Sequence, residues 1–258
     1  MRLLVKLKAL QRVAYNPAYH KDLQGLVYRF LRNSKFKALH DKKGYKYFSF
    51  SNIIPPSRVI DEGSEKNLII ASPDRDFIET VSNRLEMVPC GEVRVGEMIF
   101  KVEETRIFSQ ELPENEFDRF TLSSGTPIVV RIPKNRLKEY EINQKRPYRY
   151  IYWRKEYTPE AFIKQLEENL IKKYNEYYDT ELEPFQVFEE LQFRKQVAIP
   201  LKIKESESTV IGTLWNFYFT PVNGLKKRLL QFGLDVGFGE MNSLGFGFMN
   251  VNLHYLSR

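Results

Sequence analysis

Two successive runs of strand, helix, strand, strand, helix, strand, divided by an acidic, proline-bearing stretch at 109–118, predict an α+β fold. The arrangement is two tandem ferredoxin-like (RRM-like) domains, each an antiparallel sheet with helices on one face. A length of 258 residues with 42% apolar residues allows two cores of ordinary domain size. The predicted boundaries are 1–112 and 119–258.

In the first half, Leu3, Val5, Leu7 and Ala9 share one parity, the period of a strand. Leu23, Leu26, Val27, Phe30 and Leu31 then recur at helical spacing and make one apolar stripe. Tyr28 projects about 120° from the centre of that stripe. Tyr47–Ile54 and Asn67–Ser72 read as strands. Pro73 and Asp74 open a second helix whose core face is Phe77, Ile78, Val81 and Leu85. Val93–Phe108 supplies a last strand or hairpin.

The second half repeats the order more loosely. Ile128–Ile132 reads as its first strand. Thr158–Tyr178 is a helix, with Thr158 as N-cap and Pro159 in the first turn. Val197–Ile203 and Val210–Thr220 alternate like paired strands joined by the polar stretch KESES. Gly224–Phe232 is a short helix that stops at Gly233, and Phe246–Leu253 closes the sheet. The two halves share element order, without visible sequence identity.

Lys and Arg outnumber Asp and Glu by 40 to 33, a net charge of +7 that favours a polyanionic partner. The only cysteine, Cys90, excludes a disulfide framework and a Cys-based zinc site. With three histidines (His20, His40, His254), a dedicated metal cage is not expected, and no cofactor is called for. The start, MRLLVKLKAL, alternates too regularly for a signal peptide. No apolar run nears the roughly 20 residues of a membrane span. These features fit a reducing, cytoplasmic setting without a membrane.

Five of the 13 glycines, Gly233, Gly237, Gly239, Gly245 and Gly247, fall within 15 residues. Glycine tolerates positive φ and close approach of a ligand to the main chain. Beside Lys226, Lys227 and Arg228, such a loop could offer its N–H groups to phosphates. A tight hairpin without a ligand is the alternative. The segment Gly245–Val251 also bears a weak likeness to the aromatic strand of RNA-recognition motifs, although Leu244 stands where a basic residue leads that pattern.

Basic residues cluster twice. Lys35–Lys46 holds five lysines, including Lys42 and Lys43, against one Asp. Arg131–Tyr157 holds nine Lys or Arg, including Arg146 and Arg149, against three Glu, interleaved with Tyr140, Tyr148, Tyr150, Tyr152, Trp153 and Tyr157. Basic side chains track phosphates while aromatic faces stack unpaired bases. His40 lies in the first cluster, after the helix carrying Tyr28, and Lys46 ends that loop. An imidazole, a phenol and an ammonium could together serve RNA self-cleavage, by moving protons and holding phosphorane charge. A solvated loop with no such role is the plain alternative.

The run Asn16–Phe48, NPAYHKDLQGLVYRFLRNSKFKALHDKKGYKYF, resembles the first helix and catalytic loop of the CRISPR repeat-RNA processing endoribonucleases. These belong to the repeat-associated mysterious protein (RAMP) superfamily. Val236–Val251, VGFGEMNSLGFGFMNV, resembles that family's glycine-rich loop. The resemblance implies two ferredoxin-like domains and metal-free cleavage of CRISPR precursor RNA within repeats, leaving a 2′,3′-cyclic phosphate and a 5′-hydroxyl. Its catalytic positions fall on Tyr28, His40 and Lys46. Tyr47, Lys42 and Lys43 are close enough to replace Tyr28 or Lys46 in role, and His20 rivals His40. The implied partners are CRISPR repeat RNA and a CRISPR effector complex, with the chain as monomer or homodimer. Some relatives bind RNA without cutting it, so a non-catalytic subunit is the second reading.

Overall fold

The structure is a computed structural model that describes residues 1–16, 18–113, 119–143, 148–203, 206–222 and 224–254. The first half contains β1 (Arg2–Ala9), β2 (Val13–Ala14), α1 (His20–Leu31), β3 (Ser49–Phe50), β4 (Val59–Ile60), β5 (Glu65–Ala71), α2 (Arg75–Glu86), β6 (Glu92–Val95) and β7 (Met98–Phe108). Its main sheet runs β3-β5-β1-β7-β6 with antiparallel neighbours. This is the ferredoxin-like order, with a hairpin strand added at one edge. The alternation along β1 decides its inner face. Leu3, Val5, Leu7 and Ala9 are buried and pack with Leu23, Leu26, Val27 and Leu31 of α1 and Phe77, Ile78, Val81 and Leu85 of α2. Each such side chain stabilises the fold by roughly 1.5–3 kcal/mol relative to exposure. Asp74 caps α2, its Oδ1 accepting the Phe77 amide at 3.1 Å.

The strand expected over Tyr47–Ile54 is shorter than its apolar pattern suggests. Only Ser49–Phe50 pairs with β5, and Ile54 bridges Asn67 alone. The Ser51 hydroxyl accepts the Ile69 amide at 2.9 Å, so a side chain takes the place of a ladder carbonyl.

The second half contains β8 (Arg119–Ser124), β9 (Arg131–Pro133), β10 (Tyr150–Tyr152), α3 (Pro159–Tyr178), β11 (Glu190–Ile203), β12 (Ser206–Phe219), α4 (Gly224–Val236) and β13 (Met249–His254). Its four-stranded antiparallel sheet runs β11-β12-β8-β13, again the ferredoxin-like order. The first strand is therefore RFTLSS, not Ile128–Ile132. Ile128, Val129, Val130 and Ile132 are all buried, but Ile128 and Val129 make only single bridges. Their hydrophobicity reports burial, whereas β8 hides Thr121 and Ser124 in the centre of the sheet.

Thr158 makes no side-chain cap; its carbonyl accepts the Trp153 indole N–H at 2.9 Å. The helix expected to stop at Gly233 continues to Val236. Gly233 is a packing position, where a Cβ would meet the Phe238 ring. The two halves meet where β1 begins and α4 ends. Buried Arg2 donates to the carbonyls of Leu234 (3.2 Å) and Met249 (2.7 Å). Among the described residues, no helix is long and apolar enough to cross a membrane.

Candidate active site

After α1 the chain makes one short 3₁₀ turn, Lys37–Leu39, and His40 closes it. The imidazole is 67% exposed, and its Nδ1 lies 2.6 Å from Asp41 Oδ1. Its edge meets the Tyr28 ring at a centroid distance of 5.2 Å and an interplanar angle of 74°. The apolar stripe of α1 faces the core, which leaves Tyr28 half-buried at the helix flank. The Lys46 ammonium stands 5.7 Å from the Tyr28 ring centroid. It donates to the Leu39 carbonyl and, at 3.1 Å, to the His40 carbonyl. The three residues that the sequence separates by up to 18 positions are thus neighbours at one accessible spot. Burial raises the Tyr28 pKa, and a hydrogen bond from Ser243 opposes that rise. Burial lowers the Lys46 pKa, opposed by Asp41.

The alternative residues have other partners. His20 is 3% exposed, stacked between Tyr19 and Phe246, with Nδ1 2.7 Å from the Leu244 carbonyl oxygen. It is a packed structural residue and no rival to His40. Tyr47, at φ 54°, turns its ring onto Tyr177 and Phe232 of the second half, and it lines one pocket with Lys46. Lys42 lies over the Tyr47 ring at 4.7 Å and reaches Glu176 at 3.5 Å, while Lys43 is exposed.

The glycine-rich segment corrects its expectation. Gly237, Gly239, Gly245 and Gly247 are buried with positive φ. A Cβ on Gly245 would enter the Phe50 ring, and one on Gly247 would strike the Phe238 carbonyl oxygen. The amides of Gly237, Gly245 and Gly247 donate to Gly233, Asn242 and Pro127 carbonyls at 2.8 Å each, so they do not face a phosphate. The glycines let the loop fold upon itself. At its centre is Lys173 of α3, which is 1% exposed and unremarked in the sequence. Its ammonium donates to the carbonyls of Gly237 (2.7 Å) and Gly239 (2.8 Å) and to Asn242 Oδ1 (2.9 Å). Burial lowers its pKa to about 7, opposed by the charge of Glu240.

Between its glycine pairs the loop makes a polar turn, in which Asn242 bonds inward and Ser243 faces α1. Ser243 accepts from Gln24 Nε2 at 3.0 Å and stands beside the Tyr28 hydroxyl. Asn242 and Ser243 line a pocket of about 260 Å³ with Tyr45, Lys46 and Arg131. A second cleft of about 650 Å³ adjoins it, between α3 and the β9–β10 ribbon. In the sequence these residues carry no distinct signal, because Asn and Ser between glycines read as ordinary turn residues.

Of the basic–aromatic stretch, Arg149 and Tyr150 line that second cleft, and Tyr148 is exposed. Arg131 is bonded to Glu240, and Arg136 to Glu139 and Glu168. Tyr140 and Trp153 are core residues. Arg146 lies outside the described residues. Lys226 and Lys227 sit in the first turn of α4, about 14 Å along the helix axis from its glycine-loop end. Lys226 is paired with Glu189 at 2.5 Å. The expected partnership of these lysines with the glycines therefore fails, because the helix runs on past Gly233. Among the described residues, no group of three or more His, Cys, Asp or Glu side chains is placed to hold a metal ion.

A family model described as "CRISPR associated protein Cas6, C-terminal" matches residues 110–251. The CRISPR-associated endoribonuclease Cas6 of Haloferax mediterranei is 32% identical, over 97% of this chain and 93% of its own length. The CRISPR-associated endoribonuclease Cas6 2 of Methanocaldococcus jannaschii is 28% identical, over 97% and 99%. A solved structure described as a RAMP protein binding different RNA substrates has the same fold. It matches with a TM-score of 0.72 at 20% identity, covering 98% of this chain and 99% of its own. A family match over more than half the chain, with a relative 32% identical along 97% of it, means that this chain belongs to the Cas6 family of CRISPR-associated proteins.

Proposed function

We propose that this protein is a metal-independent endoribonuclease that cuts CRISPR precursor RNA within its repeats. One observation carries the reading: an exposed imidazole, a half-buried phenol and an ammonium meet at one accessible spot. In the proposed reaction the ribose 2′-oxygen attacks the adjacent phosphorus. The 2′-O–P bond forms and the P–O5′ bond breaks, giving a 2′,3′-cyclic phosphate and a 5′-hydroxyl. The 2′-OH proton passes to a base, and O5′ takes up a proton from an acid. His40 suits either role, because Nδ1 is engaged by Asp41 and the other ring nitrogen is left for the RNA. Lys46 stabilises charge on the phosphorane. Tyr28 orients or protonates an oxygen of the scissile phosphate.

The test is cleavage of end-labelled repeat RNA in EDTA by the protein and by its His40→Ala variant. Loss of cutting by 10²–10⁴-fold with retained binding supports the assignment. Unchanged cutting by the variant removes it. A non-catalytic subunit holding repeat RNA within an effector complex is the second reading. It draws on Lys46, two of whose three donors are already held by carbonyls. No product at high protein excess would favour it. The same proposal places the protein in the cytoplasm as a monomer or homodimer, with 1–112 and 119–258 as its domains.

A further inference from the structure

We propose that the cleft between α3 and the β9–β10 ribbon is a subsite that holds and reads one unpaired base of the RNA, close to the scissile phosphate. The inference rests on the RNA-cleavage reading above and adds a specificity site to it. The cleft, of about 650 Å³, is lined by Tyr45, Arg131, Arg149, Tyr150, Gln165 and Asn169 among others. Asn169 Oδ1 is buried and has no hydrogen-bond partner among the described residues. Its Nδ2 reaches the Tyr45 hydroxyl only at 3.5 Å. A buried acceptor without a donor is unfavourable by about 1–3 kcal/mol, and a turn of this amide toward the cleft would let a ligand N–H satisfy it. Gln165 lies one helical turn earlier on the same face; its Nε2 donates to the Tyr140 hydroxyl at 3.2 Å, which leaves its carbonyl oxygen to accept from a ligand. An amide pair offers donors and acceptors together, which suits the edge of a nucleobase.

The rest of the lining fits that occupant. Tyr150 is 38% exposed and carries the Arg131 guanidinium over its ring at 4.4 Å, a flat cationic platform for stacking. Glu168 and Glu240 also line the cleft, and Arg131 is bonded to Glu240. Carboxylates there repel a phosphate but tolerate a neutral base. Exposed Arg149 is free of that pairing and takes the phosphate at the rim. The cleft adjoins the smaller pocket that Lys46 lines, and Tyr45, Arg131 and Glu240 border both. A base seated here therefore lies beside the pocket next to the proposed scissile phosphate.

The experiment uses the full chain carrying His40→Ala, to keep RNA intact, and a set of repeat RNAs with single abasic sites. Fluorescence anisotropy gives the affinity for each. One position should lose about ten-fold on removal of its base, the value of one stacked, hydrogen-bonded base. Adding Asn169→Ala or Tyr150→Ala should reduce that loss to about two-fold or less while other positions keep theirs. Tyr150 is a surface residue, so its variant guards against misfolding of the Asn169 variant. Tight binding in which neither substitution alters any abasic penalty would overturn this subsite alone. No preference for repeat RNA in the unmodified protein would overturn the cleavage reading along with it.

Discussion

The loop around His40 and the loop around Lys173 face each other across one small pocket, yet they are built on opposite principles. The first is a single 3₁₀ turn whose histidine is two-thirds exposed and whose lysine is tethered by two carbonyls. The second is buried, closed by its own amide bonds, and centred on an ammonium with three acceptors around it. In the proposed reaction, groups that must reach a phosphate cannot be packed away. The surface that holds them in register can be, and here it is. The contrast teaches that the glycine motif serves geometry: it shapes the wall against which Tyr28 and Ser243 meet.

That contrast can be broken by substitution. The largest expected effect is on rate: His40→Ala should slow cleavage 10²–10⁴-fold while the melting temperature stays within about 2 °C, since the side chain is exposed. A large fall in melting temperature would mean that the loop is structural after all. Next, Gly247→Ala should destabilise the fold by about 3 kcal/mol, from positive φ and from collision with the Phe238 carbonyl. Denaturant unfolding measures it, and a loss under about 1 kcal/mol would show that the loop is less tightly packed than described.

The third effect concerns pH. The folded-state pKa of Lys173, about 7, lies below the ordinary lysine value of 10.5. Between these values the unfolded chain binds more protons, so stability should rise from pH 7 toward pH 10, by roughly 2 kcal/mol up to pH 9. Unfolding midpoints across that range test it. Lys173→Met should lose the slope, and a slope that survives the substitution belongs to another group. The smallest effect sharpens the boundary between the loops. Ser243→Ala removes a partner of Tyr28 and Gln24 and should lower the cleavage rate only a few-fold, about the 0.5–1.5 kcal/mol of one hydrogen bond. A loss as large as that of His40→Ala would move Ser243 into the chemistry.

Much of this was legible in the residues themselves. The parity of Leu3, Val5, Leu7 and Ala9, the stripe on α1 and the core face of α2 each depend on nearest neighbours in the chain. They survive unchanged in the structure. The order of elements was enough for the ferredoxin-like topology, because antiparallel sheets with short connections leave few alternatives. The proximity of Tyr28, His40 and Lys46 also follows from local chain: one helix, one turn and a short loop.

Tertiary structure decided the rest, where burial is set by distant partners. Ile128–Ile132 is apolar because other elements cover it, while polar RFTLSS is the central strand, and no local pattern separates the two. Lys173 divides between the two. Helical phase with Leu166, Leu170 and Tyr174 turns it inward and leaves Lys172 outside, and that phase was readable. What receives its ammonium was not, because the carbonyls lie more than 60 residues away. Residue type and periodicity determine which face of an element is wet. Only the packed molecule determines what a buried donor meets there.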